Sequence, residues 1–406
     1  MLVIDTGRLI DGTGNDAIAD ARLVVDDEGR VADVGPAESV AAPDGAEQVS
    51  YPEKTAVPGL IDAHLHLQGS RSMDPMSWVT DGDALSAARA TADLHDLVAA
   101  GFTSVRDVGS TTALGLRQAV DEGDVPGPRI FTSGQSLSQT GGHGDVHSLP
   151  YDWVASGEAA ISTLADGPDE CRREVRKRLR DGADLIKIMT TGGVLSERDD
   201  PAQTQFTEAE VRAIVEEAHR AGIPVASHAQ GTAGVKLALE NGVDTIEHGF
   251  YLDDETLGLF AETGAIFVPT LAIMHRIVDE GADYGVPEHS LRKARAAAEA
   301  HFESTRRAYE AGVPIATGTD FLGADLVPHG ENAIEAELLV AEIGMSEREA
   351  VAAATGVAGR ALPTDEVGTL EPGRLADLAV LEANPHEDVT ALREVAATYV
   401  GGERIV

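Results

Sequence analysis

The residues best suited to chemistry sit near the ends of short apolar runs. His64 and His66 stand two apart in GLIDAHLHL. Along an extended strand, positions i and i+2 face the same way, so both imidazoles can reach one point. His228 lies in PVASHAQG, His248 in TIEHG, and Asp320 ends PIATGTD. Lys187 is set between Leu185, Ile186, Ile188 and Met189. Four imidazoles, a carboxylate and a lysine gathered at one place look like a site for two divalent metal ions. Imidazole and carboxylate suit zinc, with a position left open for water. Lys187 is the most telling of the six. Burial penalises the ammonium and draws its pKa toward the neutral amine. A neutral amine can combine with carbon dioxide to give a carbamate whose two oxygens could bridge two metal ions. The other reading of Lys187 is an ion pair with a carboxylate such as Asp184 or Asp107. The remaining four lysines can face solvent.

These residues need elements that converge. Eight apolar segments read as strands: 59–67, 102–109, 129–134, 183–193, 224–231, 245–249, 266–272 and 314–320. Helical segments such as TEAEVRAIVEEAHRAG lie between most of them, with 3.6-residue apolar spacing and a closing Gly. The alternation predicts an α/β fold, a (β/α)8 barrel over residues 58–367, whose C-terminal strand ends meet at one mouth. The stretch 135–182 is too long for a simple connector and carries His143 and His147 in a Gly-rich loop. Residues 1–57 and 368–406 share a different character, short strands cut by Gly and Asp, and predict one small β-sandwich built from both ends. Two amphipathic helices follow Asp320.

The chain has 406 residues, with 31 basic and 69 acidic, for a formal charge of −38. That charge excludes ordinary phosphate-backbone recognition of nucleic acid and argues against an anionic membrane as partner. Only five of the basic residues are lysines: Lys54, Lys177, Lys187, Lys236 and Lys293. An acidic surplus with little lysine suits the salt-rich cytoplasm of a halophile, where salt screens the mutual repulsion. The single cysteine, Cys171, makes no intrachain disulfide and reads as a half-buried filler. The start of the chain lacks the pattern of a signal peptide, and no apolar run reaches the ~18 residues of a membrane span. A soluble, cytoplasmic protein is expected.

VPGLIDAHLHL resembles the first-strand metal motif of the amidohydrolase superfamily. LIKIMTTGGV, SHAQG, IEHG and GTD resemble its later motifs in order, and GTLEPGRLADLAVLEANP its C-terminal segment. The likeness covers nearly the whole chain. It is nearest the branch holding imidazolonepropionase-related enzymes and metal-dependent Xaa-Pro dipeptidases. The resemblance implies that His64 and His66 bind one metal ion, that His228 and His248 bind a second, and that carboxylated Lys187 bridges them. It implies that Asp320 binds the first ion and carries a proton from the water to the leaving amine. Glu247, beside His248, is a candidate to orient a ligand if it faces inward. His143 and His147 match a GGHG-type loop of the dipeptidase branch and would touch the substrate's carbonyl or carboxylate. Gln230 stands where many dipeptidase relatives carry an aromatic residue. It is a candidate substrate contact, as are, more weakly, Tyr251 and Arg106. The expected activity is hydrolysis of an amide C–N bond in a small molecule, a Xaa-Pro or other dipeptide or an N-acyl amino acid, by hydroxide bridging the two ions. One rival is a one-metal cyclic amide or imidazolone hydrolase or deaminase, against which Lys187 speaks. Another is a non-catalytic scaffold, against which six filled ligand positions speak. Barrels of this type commonly associate, so a homo-oligomer is open.

Overall fold

The computed structural model describes residues 1–157 and 162–406. The apolar runs near the N-terminus form β1 (Leu2–Leu9), β2 (Ile18–Val25), β3 (Val31–Pro36) and β4 (Glu47–Pro58). The middle of the chain supplies β5 (Leu60–Leu65), β6 (Phe102–Asp107), β7 (Arg129–Thr132), β8 (Ser136–Ser138) and β9 (Ser162–Leu164). It then adds β10 (Ile186–Met189), β11 (Val225–Ala229), β12 (Thr245–His248) and β13 (Ile266–Val268). The chain closes with β14 (Leu378–Leu381), β15 (Val395–Val400) and β16 (Glu403–Arg404).

Both ends of the chain do share one β-rich unit, but it is one hydrogen-bonded sheet where two packed sheets were expected. Its order is β16-β15-β14-β4-β1-β2-β3. The sheet curls until its β3 edge reaches the segment leading into β14: Val31 N–H donates to Arg374 O at 2.9 Å and Gly373 N–H donates to Val31 O at 2.8 Å. Ile4, Leu23, Leu378 and Tyr399 share one buried cluster inside the curl. The β1–β4 register shifts between Thr6 and Arg8, and a bulge of this kind bends a strand. Gly7 permits it, because a Cβ there would lie 2.2 Å from the Pro52 carbonyl oxygen.

The middle strands are parallel, in sheets ordered β13-β12-β11-β10-β8-β9 and β5-β6-β7. Their burial is nearly continuous, as expected of strands covered by helices on the outside. Seven of the eight expected strands are present. Segment 314–320 makes only isolated bridges, Ile315 with Phe267, while Phe321 just beyond it bridges Leu65. Pro314 has no N–H to give a ladder, and Asp320 adopts φ 59°. The segment nevertheless lies between β13 and β5, since Phe267 N–H donates to Pro314 O and Ala63 N–H to Thr317 O, each at 2.9 Å. The stretch 135–182, too long for a simple connector, contains β8, β9 and the helices Tyr151–Ala155 and Pro168–Asp181. Residues 158–161 within it lie outside the described residues. Cys171 is fully buried on the second of these helices, and burial pushes its thiol up to about 12. It is core, not the half-buried filler expected. Among the described residues, no helix is long and apolar enough to cross a membrane.

The two units join without a linker. β4 ends at Pro58 and β5 begins at Leu60, so Gly59 alone carries the chain from the curled sheet into the first parallel strand. A Cβ at Gly59 would fall 1.8 Å from Thr103 Oγ1. Gly59→Ala should therefore lose ~1–3 kcal/mol of stability in denaturant unfolding. Gly82→Ala, at an open position with ordinary φ, should change little. Equal midpoints for the two variants would refute the tight crossing at Gly59.

Candidate functional site

The strand ends bring the expected residues into one cavity. His64, His66, Lys187, His228, His248 and Asp320 all line it, with His143 and Gln230. The nearest grouping is His64, His66 and Asp320, whose ligand atoms lie within 4.8 Å of one another. Asp320 Oδ1 is 3.4 Å from His64 Nε2 and 3.1 Å from His66 Nε2. The rings continue as a row: His64 to His248 with centroids 5.0 Å apart, His248 to His228 at 4.5 Å, and His228 stacked on His143 at 4.2 Å.

Each imidazole is turned by a partner behind it, and the partner settles which nitrogen is free. His66 Nδ1–H donates to the Gly109 carbonyl at 3.0 Å, which leaves Nε2 as acceptor. His64 Nδ1–H donates to Glu247 Oε2 at 2.7 Å, again freeing Nε2. His228 is reversed: its Nε2–H donates to Gly192 O at 3.0 Å, leaving Nδ1. His248 Nδ1 shares a hydrogen bond with the Thr270 hydroxyl at 2.7 Å. This is how metal-binding histidines are held, by a carbonyl, carboxylate or hydroxyl on the far nitrogen. Burial, reinforced by neighbouring imidazoles, holds His228 and His248 well below their ordinary value, so both stay neutral. Neutral imidazole is the ligand form. Burial would raise the Asp320 carboxyl, yet the imidazoles around it hold it well below the usual range. The donor set fits divalent metal.

Lys187 is 3% exposed in β10, and burial lowers it to about 8. Among the described residues it forms no ion pair, and the two proposed partners are engaged elsewhere. Asp184 pairs with Arg117, and Asp107 accepts from Leu67 N–H and the hydroxyls of Ser110 and Thr132.

Glu247 faces inward and anchors the site from below. It is fully buried, takes two hydrogen bonds from Arg106 at 2.8 and 3.0 Å, and one from Thr245 Oγ1 at 2.5 Å. Burial opposes its ionisation, but Arg106 and the His64 hydrogen bond bring its carboxyl down to about 2. Arg106 is thus a buried structural cation. It does not line the cavity, which corrects its place among the substrate contacts. Tyr251 is also absent from the lining; Phe250 is there instead. The consecutive positive φ of His248 (76°) and Gly249 (59°) turn the chain so that Phe250 enters. His147 lines an adjoining cavity that shares Trp78, His143 and Leu195 with the first, and its Nδ1 accepts from Arg198 N–H at 3.3 Å.

Several supports carry little sequence signal. Asp62 accepts from His64 N–H at 2.9 Å, Thr319 Oγ1 at 2.6 Å and Asn332 Nδ2 at 2.7 Å, clipping β5 to segment 314–321. Glu335 accepts from the backbone N–H groups of Leu271 and Ala272, fixing the helix start beside Thr270. Burial raises its carboxyl to about 8. Lys293 is not solvent-facing as expected. Its ammonium donates to the carbonyls of Gly193 (3.1 Å), Ser196 (2.7 Å) and Asp199 (2.5 Å). That loop supplies Gly192 O to His228 and Ser196 Oγ to His143 Nδ1 at 2.9 Å. Gln68, two residues past His66, lines the cavity; the i, i+2 rule could have found it.

The sequence matches the amidohydrolase family over residues 55–405. It is 33% identical to an ochratoxinase of Aspergillus niger over 98% of this chain and 85% of that protein. A crystal structure of a Xaa-Pro dipeptidase with methionine in its active site superposes with a TM-score of 0.90, at 34% identity over 99% of both chains. A prolidase complexed with N-methylphosphonate-L-proline superposes with a TM-score of 0.92, at 34% identity over 100% of this chain and 99% of that one.

Two outcomes test the supports. Glu247→Gln strands the Arg106 guanidinium without its counter-charge and should cost ~3–5 kcal/mol in denaturant unfolding. A midpoint unmoved from wild type would deny Glu247 its anchoring role. Lys293→Met should open the loop 191–205 to limited proteolysis while the global unfolding midpoint moves little; a cleavage pattern identical to wild type would exclude the clamp.

Proposed function

This chain belongs to the amidohydrolase family, hydrolases of carbon–nitrogen bonds with a TIM-barrel-like α/β fold and an N-terminal β domain, and we propose that it hydrolyses the amide bond of a dipeptide-like or N-acyl amino acid substrate. One observation carries the reading: six side chains able to serve metal chemistry line one cavity, and four of them are imidazoles turned by partners behind them. His64, His66 and Asp320 would hold one divalent ion, and His228 and His248 a second. Lys187, unpaired and easily neutralised, would join the two as its carbamate. Such ions supply Lewis acidity, polarising the amide carbonyl and making water acidic enough to attack it.

The protein's own groups do the rest. The attacking water forms the new C–O bond and gives its proton to a carboxylate oxygen of Asp320, which is ionised in the cavity beside His64 and His66. Asp320 then passes that proton to the amide nitrogen as the C–N bond breaks, so acid and amine leave in balance. His143, stacked on His228 and fixed through Nδ1 by Ser196, is placed to hydrogen-bond the substrate beside the reacting carbonyl. Gly193 makes room for its ring, since a Cβ there would come within 2.1 Å of it. The relatives named for dipeptides support the substrate class.

The test is metal analysis combined with a panel of dipeptides and N-acyl amino acids at molar salt. Purified protein should carry about two ions per chain. Lys187→Ala should lose more activity than the ~10–100-fold typical of an outer-shell change. A short carboxylic acid should restore part of it. One ion per chain with Lys187 unmodified, or a fully active Lys187→Ala, would overturn the bridging role.

A further inference from the structure

Outside the metal-suited cluster, the cavity is lined by apolar side chains, among them Trp78, Met189, Phe250, Ile273 and Leu322. Among its described lining residues, charge is confined to Lys187, Asp320 and the imidazoles. There is no guanidinium for a free carboxylate and no second carboxylate for a free ammonium. The adjoining cavity adds the imidazoles of His147, whose Nδ1 accepts from Arg198 N–H, and His289, together with Asp74, whose side chain already caps the helix Pro75–Thr80, and Glu197, whose side chain is half exposed.

Two neutral polar groups break the apolar wall. Gln68 follows His66 by two residues, and Gln230 follows His228 by two, so each lies just past a strand, in the same cavity as a candidate ligand. Gln230 is 4% exposed. The Oε1 of each glutamine is buried with no hydrogen-bond partner among the described residues. Buried polar atoms are almost always paired, so two orphans in one cavity point to a ligand that pairs them. An amide offers both donors and an acceptor, and its oxygen and nitrogen can exchange places by a flip. Its natural complement is another amide, which brings no charge to desolvate.

Resting on the hydrolase reading above, we propose that Gln68 and Gln230 are specificity-determining residues that select amides with neutral flanks, N-acylated and C-amidated dipeptide-like molecules, over free zwitterionic dipeptides. A free dipeptide would bury an ammonium and a carboxylate in a largely apolar cavity whose lysine, carboxylate and imidazoles are, on the reading above, committed to the metal ions or, for His143, to the reacting carbonyl. A blocked one presents N–H and C=O groups where the two glutamines await them.

The test compares N-acetyl-L-methionyl-L-leucinamide with L-methionyl-L-leucine on the metal-loaded enzyme, with products read by mass spectrometry. The blocked substrate should show a kcat/KM at least ~10-fold higher. Gln68→Met and Gln230→Met, close in size and unable to pair an amide, should each shrink that preference by ~3–10-fold, mainly through KM. Thermal midpoints near wild type would show that the variants still fold. Equal or faster cleavage of the free dipeptide, or variants that keep the full preference, would overturn the selection while leaving the hydrolase reading intact. Cleavage of neither, together with no turnover of N-acyl amino acids, would remove the hydrolase reading and this inference with it.

Discussion

A guanidinium cut off from water must find acceptors inside the protein, and Arg106 finds them on several segments at once. Its Nε donates to Ala63 O on β5, and its terminal nitrogens to Thr245 Oγ1 and both oxygens of Glu247 on β12 and to Ala361 O past the helix Gly356–Arg360. The cation compensates a carboxylate that burial alone would neutralise, and that carboxylate turns His64. The ion pair thus links the packing of the parallel strands to the orientation of a candidate ligand. Its value lies less in net stability than in geometry, since a buried pair gains little over apolar packing but costs much when one partner is removed.

Backbone strain gathers at the same mouth. Among the described residues, five non-glycine positions have φ in the left-handed region, and three of them are His248, its partner Thr270, and Asp320. Such positions cost ~1–3 kcal/mol each and persist only where surrounding contacts fix them. The contacts are present: Glu335 holds the helix start after Thr270, and Asp62 with Asn332 holds the segment that ends at Asp320. The loop clamped by Lys293 supplies Val194 and Leu195 to the cavity lining. The five lysines therefore divide by task. Lys54, Lys177 and Lys236 make surface ion pairs, Lys293 serves as a fixed cation for backbone carbonyls, and Lys187 stands unpaired in the cavity.

The large negative charge has little part in the cavity. Its lining includes one carboxylate, Asp320, while most aspartates and glutamates lie on outer helices and turns. The apolar wall with two amides and the acidic exterior are separate features, one facing the substrate and the other the solvent.

Sequence alone determined the strand-borne candidates, because strand periodicity and an apolar setting are local properties. His64, His66, Lys187, His228, His248 and Asp320 are each marked by their own neighbours, and the alternation of strands and helices predicts that the ends of these segments meet. The tertiary structure decided what local pattern cannot hold. It turned the end sheet into one curled ladder and left 314–320 without a regular ladder. It placed Phe250 rather than Tyr251 in the cavity, through two successive left-handed residues. It made Arg106 a support rather than a contact, and bound Lys293 to a loop nearly a hundred residues away in the chain. These depend on partners distant in sequence, and hydrogen-bond partnership across such distances is fixed only when the chain has folded.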